Sequence, residues 1–202
     1  MTTKAKGLSE VYSLNFNGVW FSIACIKEQV AASSFESTQQ TAIGKILDAL
    51  PFGLPFQVFH EPSAFAKTAL TTIKEIYEGK ETNANLPLAL NKLPAYTQKV
   101  LKTTMQVPVG YVTTYGAISE VVGGGPRAVG NIMASNPFAP LVPCHRVVKS
   151  DFGLGGYGLG GLKVKLEFLS REKRGFSEPK EVKVNGRQLE VYPVEYVLKN
   201  FS

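Results

Sequence analysis

Apolar and polar positions alternate along residues 11–35, the two-residue period of extended chain. Asn17-Gly18 interrupts the alternation between VYSLNF and VWFSIACI, a strong signal for a two-residue hairpin turn. Val19, Phe21, Ile23 and Cys25 fall on one face of the second strand, so Cys25 reads as a small buried apolar residue. The period then lengthens. Ser37 is expected to cap a helix running to about Leu50, with Ile43, Ile46, Leu47 and Leu50 on one stripe. PFGLPFQVFHEP breaks the helical pattern and is expected to hold a short strand; His60 stands there alone and reads as structural or exposed. A second helix is expected from Ser63 to Glu78, with Phe65, Leu70, Ile73 and Ile76 as its apolar stripe and Gly79 as its stop.

The stretch 79–94 is polar, then punctuated by proline, and reads as a linker. Beyond Pro94 the strand signals fade. Helices are expected at 95–105, 115–122, 127–134 and 162–173, joined by short glycine- and proline-rich loops that suggest a helix-turn-helix. Asn185-Gly186 marks a hairpin in the tail, VKV-NG-RQLEV, to which no function attaches. The expected fold class is α+β. A small α/β N-terminal domain (1–90), a sheet with flanking helices, precedes a mostly helical C-terminal domain (91–175) with the helix-turn-helix and an extension (176–202) that a hairpin would fit.

Composition narrows the chemistry. The 202 residues include two cysteines, Cys25 and Cys144, and two histidines, His60 and His145, too few for the usual structural zinc site. No metal and no cofactor are expected, and a Cys25–Cys144 disulfide is disfavoured in a reducing compartment. No apolar run reaches membrane-spanning length, and the N-terminus lacks the apolar core of a secretory leader. The expectation is an intracellular monomer, cytoplasmic or, in a eukaryote, nuclear, with no membrane partner. The net charge is +6. Residues 1–93 and the tail after Gly175 are each balanced, so the whole excess lies in 94–175, a distribution that suits a polyanion partner.

That basic segment holds Pro143-Cys144-His145-Arg146-Val147-Val148. A Cys-His neighbour pair alone is better read as a structural cysteine, since adjacent side chains on an extended chain point apart. Its surroundings change this. Gly110-Tyr111-Val112-Thr113-Thr114-Tyr115, Arg127-Ala128-Val129-Gly130 and Asn136-Pro137 stand upstream. The glycine loop 153–161 and Leu169-Ser170-Arg171-Glu172 stand downstream. In order and spacing the stretch from Pro94 to Gly175 resembles the O6-alkylguanine-DNA alkyltransferases.

The resemblance implies direct-reversal DNA repair. An alkyl group would pass from O6-alkylguanine in double-stranded DNA to Cys144, once, after the damaged nucleotide is flipped outward from the minor-groove side. It makes Cys144 the nucleophile, His145 the base, coupled through a bridging water, and Glu172 the carboxylate that orients the histidine. Tyr115 would donate a proton to the base and crowd the phosphate. Arg127 would fill the space the nucleotide leaves, and Ala128 and Gly130 would let the recognition helix approach the groove. Asn136 would tie that helix to the cysteine loop. The carbonyls of Cys144 and Val147 would accept the exocyclic amine of guanine, with Tyr157 and the Gly158 N–H completing the pocket. Two other readings remain open at this stage: a protein that recognises alkylguanine without repairing it, and a cysteine hydrolase. The pocket loop is one residue longer than in some relatives, which leaves the accepted range of alkyl groups open.

Overall fold

The computed structural model describes residues 8–50, 54–82 and 84–201. The N-terminal residues read for a leader, the start of PFGLPF and residue 83 of the linker lie outside the described residues. The chain divides into two compact units. One takes the described residues up to Ile76 together with 82–92 and 137–141; the other takes 77–81, 93–136 and the described residues from Val142 onward.

The first unit is built on a four-stranded sheet of β1 (Ser9–Phe16), β2 (Val19–Ile26), β3 (Gln29–Glu36) and β4 (Phe56–Phe59), in the order β3-β2-β1-β4. Asn17 and Gly18 both take positive φ, 53° and 84°, the backbone a right-twisted hairpin needs, and Phe16 pairs with Val19 across them. α1 (Gln39–Ala49) lays Ile46 against Val11, Ala24 and Ala32. Its cap is Thr38 and not Ser37: the Thr38 hydroxyl accepts from Thr41 N at 3.2 Å, so the helix begins one residue later than the sequence suggested. α2 (Ala64–Tyr77) starts with the Ser63 hydroxyl accepting from Ala66 N, and it buries Leu70 and Ile73 while Phe65 and Ile76 are half-buried. The expected one-sided alternation of β2 does not hold. Phe21 to Cys25 are all buried, because β2 is an interior strand covered on both faces. Cys25 is buried as expected, His60 is exposed, and both cysteines are free thiols.

The second unit contains the four expected helices: α3 (Ala95–Thr104), α4 (Tyr115–Val122), α5 (Pro126–Ala134) and α6 (Gly161–Arg171). It also contains a second sheet, which the fading strand signal had hidden. Its order is β6 (Val147–Val148), β5 (Tyr111–Thr114), β8 (Arg187–Pro193), β7 (Lys180–Val184). β5 and β6 are four and two residues long and too short to show a period. They are strands because each finds a partner: Thr113 pairs with Val147 and Thr114 with Val148 in parallel, and β8 comes from the tail hairpin. The tail thus belongs to the second unit, and it ends in a short helix, α7 (Glu195–Leu198).

α4 and α5 form the helix-turn-helix. The Thr114 hydroxyl caps α4 by accepting from Ala117 N at 3.0 Å. Gly124 in the turn has φ +84° and packs so close to the Tyr96 hydroxyl that a Cβ there would collide with it; that hydroxyl donates to Gly123 O at 2.8 Å. Pro126 opens α5 at a position that needs no N–H. α5 buries Val129 and Met133 and leaves Arg127 exposed. Among the described residues no helix is long and apolar enough to cross a membrane.

Candidate active site

Parallel pairing of β5 with β6 sets up the site. Tyr115 follows the end of β5, and the 3₁₀ turn Cys144–Arg146 runs straight into the start of β6. Two chain segments far apart in sequence are therefore side by side. Cys144 is 4% exposed. Asn136, just beyond α5, donates from Nδ2 to Val142 O at 3.0 Å, clamping the chain two residues before the cysteine.

Burial pushes the Cys144 thiol up. The Asn136 amide hydrogen-bonded to the sulfur, the Lys165 ammonium and the backbone N–H groups of the turn pull it back down. Burial outweighs them, so the resting group is a thiol, and a thiolate there would need a base.

His145 is completely buried, and that desolvation lowers its pKa against the pull of Glu172. Its Nε2 lies 2.9 Å from Glu172 Oε1. An ionised carboxylate can only accept, so Nε2 carries the proton and Nδ1 holds the lone pair. Nδ1 is buried without a protein hydrogen-bond partner, as is the Tyr157 hydroxyl. The Tyr157 ring meets His145 edge-on at 6.5 Å, and Phe168 packs on the other ring at 4.7 Å.

Glu172 does more than orient His145. Arg146 grips it from Nε to Oε2 at 2.9 Å and from Nη2 to Oε1 at 2.8 Å, while Nη1 donates to Val107 O at 2.7 Å. Desolvation would raise this carboxyl, but His145 and Arg146 outweigh it and hold the pKa down at about 2. It remains ionised while almost fully buried. Lys165 is also buried, and burial lowers its pKa to about 8. Its Nζ donates to Val147 O at 2.6 Å and to Gly156 O at 3.3 Å, joining β6 to the glycine loop.

A cavity of about 430 Å³ opens beside this cluster, lined by Tyr115, Gly130, Met133, Ala134, Lys149 and the loop Gly155–Gly158. Gly155 has φ +67°, and a Cβ there would stand 2.7 Å from the Tyr115 hydroxyl, so the loop approaches the tyrosine as only glycine permits.

The family described as 6-O-methylguanine DNA methyltransferase, DNA binding domain, matches residues 95–174. A methylated-DNA–protein-cysteine methyltransferase of Pyrobaculum aerophilum is 54% identical over 74 residues, 37% of this chain and 49% of that protein. The crystal structure of O6-methylguanine-DNA methyltransferase from Pyrococcus kodakaraensis KOD1 superposes with a TM-score of 0.63 at 26% identity, over 81% of this chain and 98% of the other. Residues 95–174 belong to the family of 6-O-methylguanine DNA methyltransferase DNA-binding domains. Mycobacterium tuberculosis OGT, solved in complex with DNA, is a further structural relative, with a TM-score of 0.62 at 25% identity over 81% of this chain and 92% of that one. The matched stretch spans 49% of the Pyrobaculum protein and 63% of a Methanothermobacter thermautotrophicus relative, less than two thirds of each.

The expected residues fall into two sets. Cys144, His145, Glu172 and Val147 are buried, with half-buried Asn136 bonded to the cysteine loop, and Tyr115, Gly130, Tyr157 and Gly158 line the cavity beside them. Arg127 and Ala128 occupy the first turn of α5, off the cavity wall. Two residues escaped the sequence reading: Arg146, the carboxylate's second partner, and Lys165, which already occupies one lone pair of the Val147 carbonyl. A signal for Lys165 existed. Lys165, Phe168, Leu169 and Glu172 follow the i, i+3, i+4, i+7 spacing of one helix face, so two charged residues share a face with two apolar ones.

Proposed function

We propose that this protein repairs DNA by direct reversal, moving the alkyl group of O6-alkylguanine onto its own Cys144. The observation that carries the reading is the buried chain Cys144, His145, Glu172: a thiol raised by burial, a neutral histidine with a lone pair at Nδ1, and a carboxylate held ionised. His145 takes the thiol proton through a bridging water, with Glu172 steadying the imidazolium as it forms. The sulfur attacks the alkyl carbon, the C–S bond forms as the C–O6 bond breaks, and the departing guanine takes up a proton that Tyr115 supplies. The product is a thioether, which has no route back to thiol within this site, so each molecule acts once. The partner is double-stranded DNA read from the minor groove, with no cofactor.

The flipped base occupies the cavity between Tyr115 and the glycine loop, and Tyr157 and the Gly158 N–H complete its wall. The carbonyls of Cys144 and Val147 face its exocyclic amine. Ala128 and Gly130 keep α5 slim where it enters the groove. Mixing the protein with duplex DNA containing O6-methylguanine and measuring its intact mass tests the core of this. One added methyl group, mapped to Cys144 and not exceeded with excess substrate, is expected; an unmodified protein, or turnover without an adduct, refutes it.

Arg127 is assigned to the extruded state of the duplex because it is exposed at the start of α5 and has no ion-pair partner among the described residues. Flipping costs a few kcal/mol, ~1.4 of which correspond to about tenfold in rate. Arg127→Ala is therefore expected to slow repair of duplex DNA about tenfold or more, while transfer from the free base O6-benzylguanine, which needs no flipping, stays within about twofold. Equal slowing of both substrates would place Arg127 in the fold or the pocket.

A further inference from the structure

The residues after Gly175 have no part in the mechanism above, yet they are bonded to several of its supports. β8 pairs with β5 at Tyr111 and Val112, and Thr113 Oγ1 donates to Glu190 O at 2.8 Å. The strand that delivers Tyr115 is thus held by β6 on one edge and by the tail on the other. Phe152, next to the glycine loop and itself at φ 60°, meets the tail rings Tyr192 and Tyr196 edge-on at 5.0 and 5.3 Å.

The most specific contact is at the hairpin turn. β8 packs along α4, and Arg187, its first residue, donates from Nη1 to Glu120 O at 2.7 Å and to Val121 O at 3.1 Å. These carbonyls lie in the last turn of α4, where a helix has no internal donors left to offer. A guanidinium there also faces the negative end of the helix dipole. Immediately beyond lies the turn Gly123–Gly125, in which Gly123 and Gly124 both take positive φ, and then α5 with Arg127. The tail carries four basic and four acidic residues, so it adds nothing net to phosphate attraction. Its contribution is geometric.

We propose that the C-terminal hairpin is a positioning element for duplex DNA: Arg187 fixes the C-terminal end of α4 and so sets the turn from which α5 and Arg127 depart. This inference rests on the alkyl-transfer reading. Tyr115 lies at the opposite end of α4, and α5 reaches the cavity only with Gly130, Met133 and Ala134 of its later turns, beyond Arg127 in the first, so loss of the guanidinium disturbs engagement of duplex DNA more than it disturbs the pocket.

The test compares wild type, Arg187→Met and Arg187→Lys for second-order transfer from O6-methylguanine duplex DNA and from O6-benzylguanine, with melting temperature and amide exchange at Gly123 and Gly124. Arg187→Met is expected to slow the duplex reaction about five- to tenfold, the scale of one typical net hydrogen bond, with the benzylguanine rate within about twofold of wild type. Exchange at the two glycines rises, and Arg187→Lys recovers most of the duplex rate. Arg187 is exposed and the buried Leu189 and Val191 of β8 are untouched, so folding should survive; if Met does not accumulate, the Lys variant carries the comparison with wild type. Equal loss on both substrates, or no loss on either, overturns the proposal. A wild-type protein that alkylates itself with neither substrate defeats the alkyl-transfer reading instead.

Discussion

Cys144→Ala is expected to abolish alkyl transfer completely while leaving affinity for duplex DNA within about twofold, since removing a buried thiol touches no phosphate contact. The substitution takes one sulfur from a site 4% exposed and adds no bulk, so the fold should persist. No second thiol can substitute. Cys25 is buried in the first unit, and burial, with the nearby Glu10, raises its thiol to about 12, far from the thiolate that attack on carbon requires. Intact mass reads the transfer and fluorescence anisotropy the binding. A methyl adduct on the Cys144→Ala protein would end the assignment of this residue. Cys25→Ser, run alongside, should retain nearly full activity.

The second large effect is expected at Glu172. Replacing it with Gln keeps the shape but removes the charge, leaving the Arg146 guanidinium, 7% exposed, without its counterion. Breaking a buried pair from one side costs about 3–5 kcal/mol. At about 2–4 °C per kcal/mol for a chain of this size, melting should fall by roughly 10 °C. The rate should fall by about 10²-fold or more, because His145 loses the group that fixes its tautomer and balances its proton. The acid limb provides an independent check. A carboxyl depressed from 4.5 to about 2 contributes stability that is fully present above 4.5 and is lost as pH falls through about 2. Wild type should therefore lose stability steeply between those values, and Glu172→Gln should lose that part of the slope. Identical melting curves for the two proteins from pH 5 to pH 2 would mean that the carboxylate is not the buried anion described here.

The chemistry of this site was more legible in the sequence than its architecture. Cys144, His145 and Glu172 stood out as candidates because alkyl transfer would need those functional groups and the surrounding motifs keep a fixed order. Local rules also placed the Asn17-Gly18 hairpin and the helices, since turn chemistry and helical period act within a few residues. β5 and β6 were illegible for the opposite reason. YVTT and VV become strands only through each other and through the tail, and that pairing is long-range. Arg146 was hidden by its position inside the motif: next to Cys144 and His145 it reads as one more basic residue, and only the tertiary contact with Glu172 shows that it neutralises a buried anion. Thr38 displaced Ser37 as a cap because both hydroxyls are suitable and only the backbone chooses between them.

Neither compact unit is one continuous stretch of chain. Residues 137–141 leave the second unit between Asn136 and Val142 and belong to the first, where Ser33 N donates to Pro137 O at 2.8 Å and Ser33 Oγ to Ala139 O at 3.0 Å. For protein engineering this means that the half carrying Cys144 is not a detachable module. A fragment beginning near residue 93 would keep every residue assigned a chemical role, yet strip two carbonyls of their donors in the segment that ends three residues before Cys144. Fusions, split reporters and truncations of this chain are better designed with this alternation of segments in view than with a single cut near residue 93.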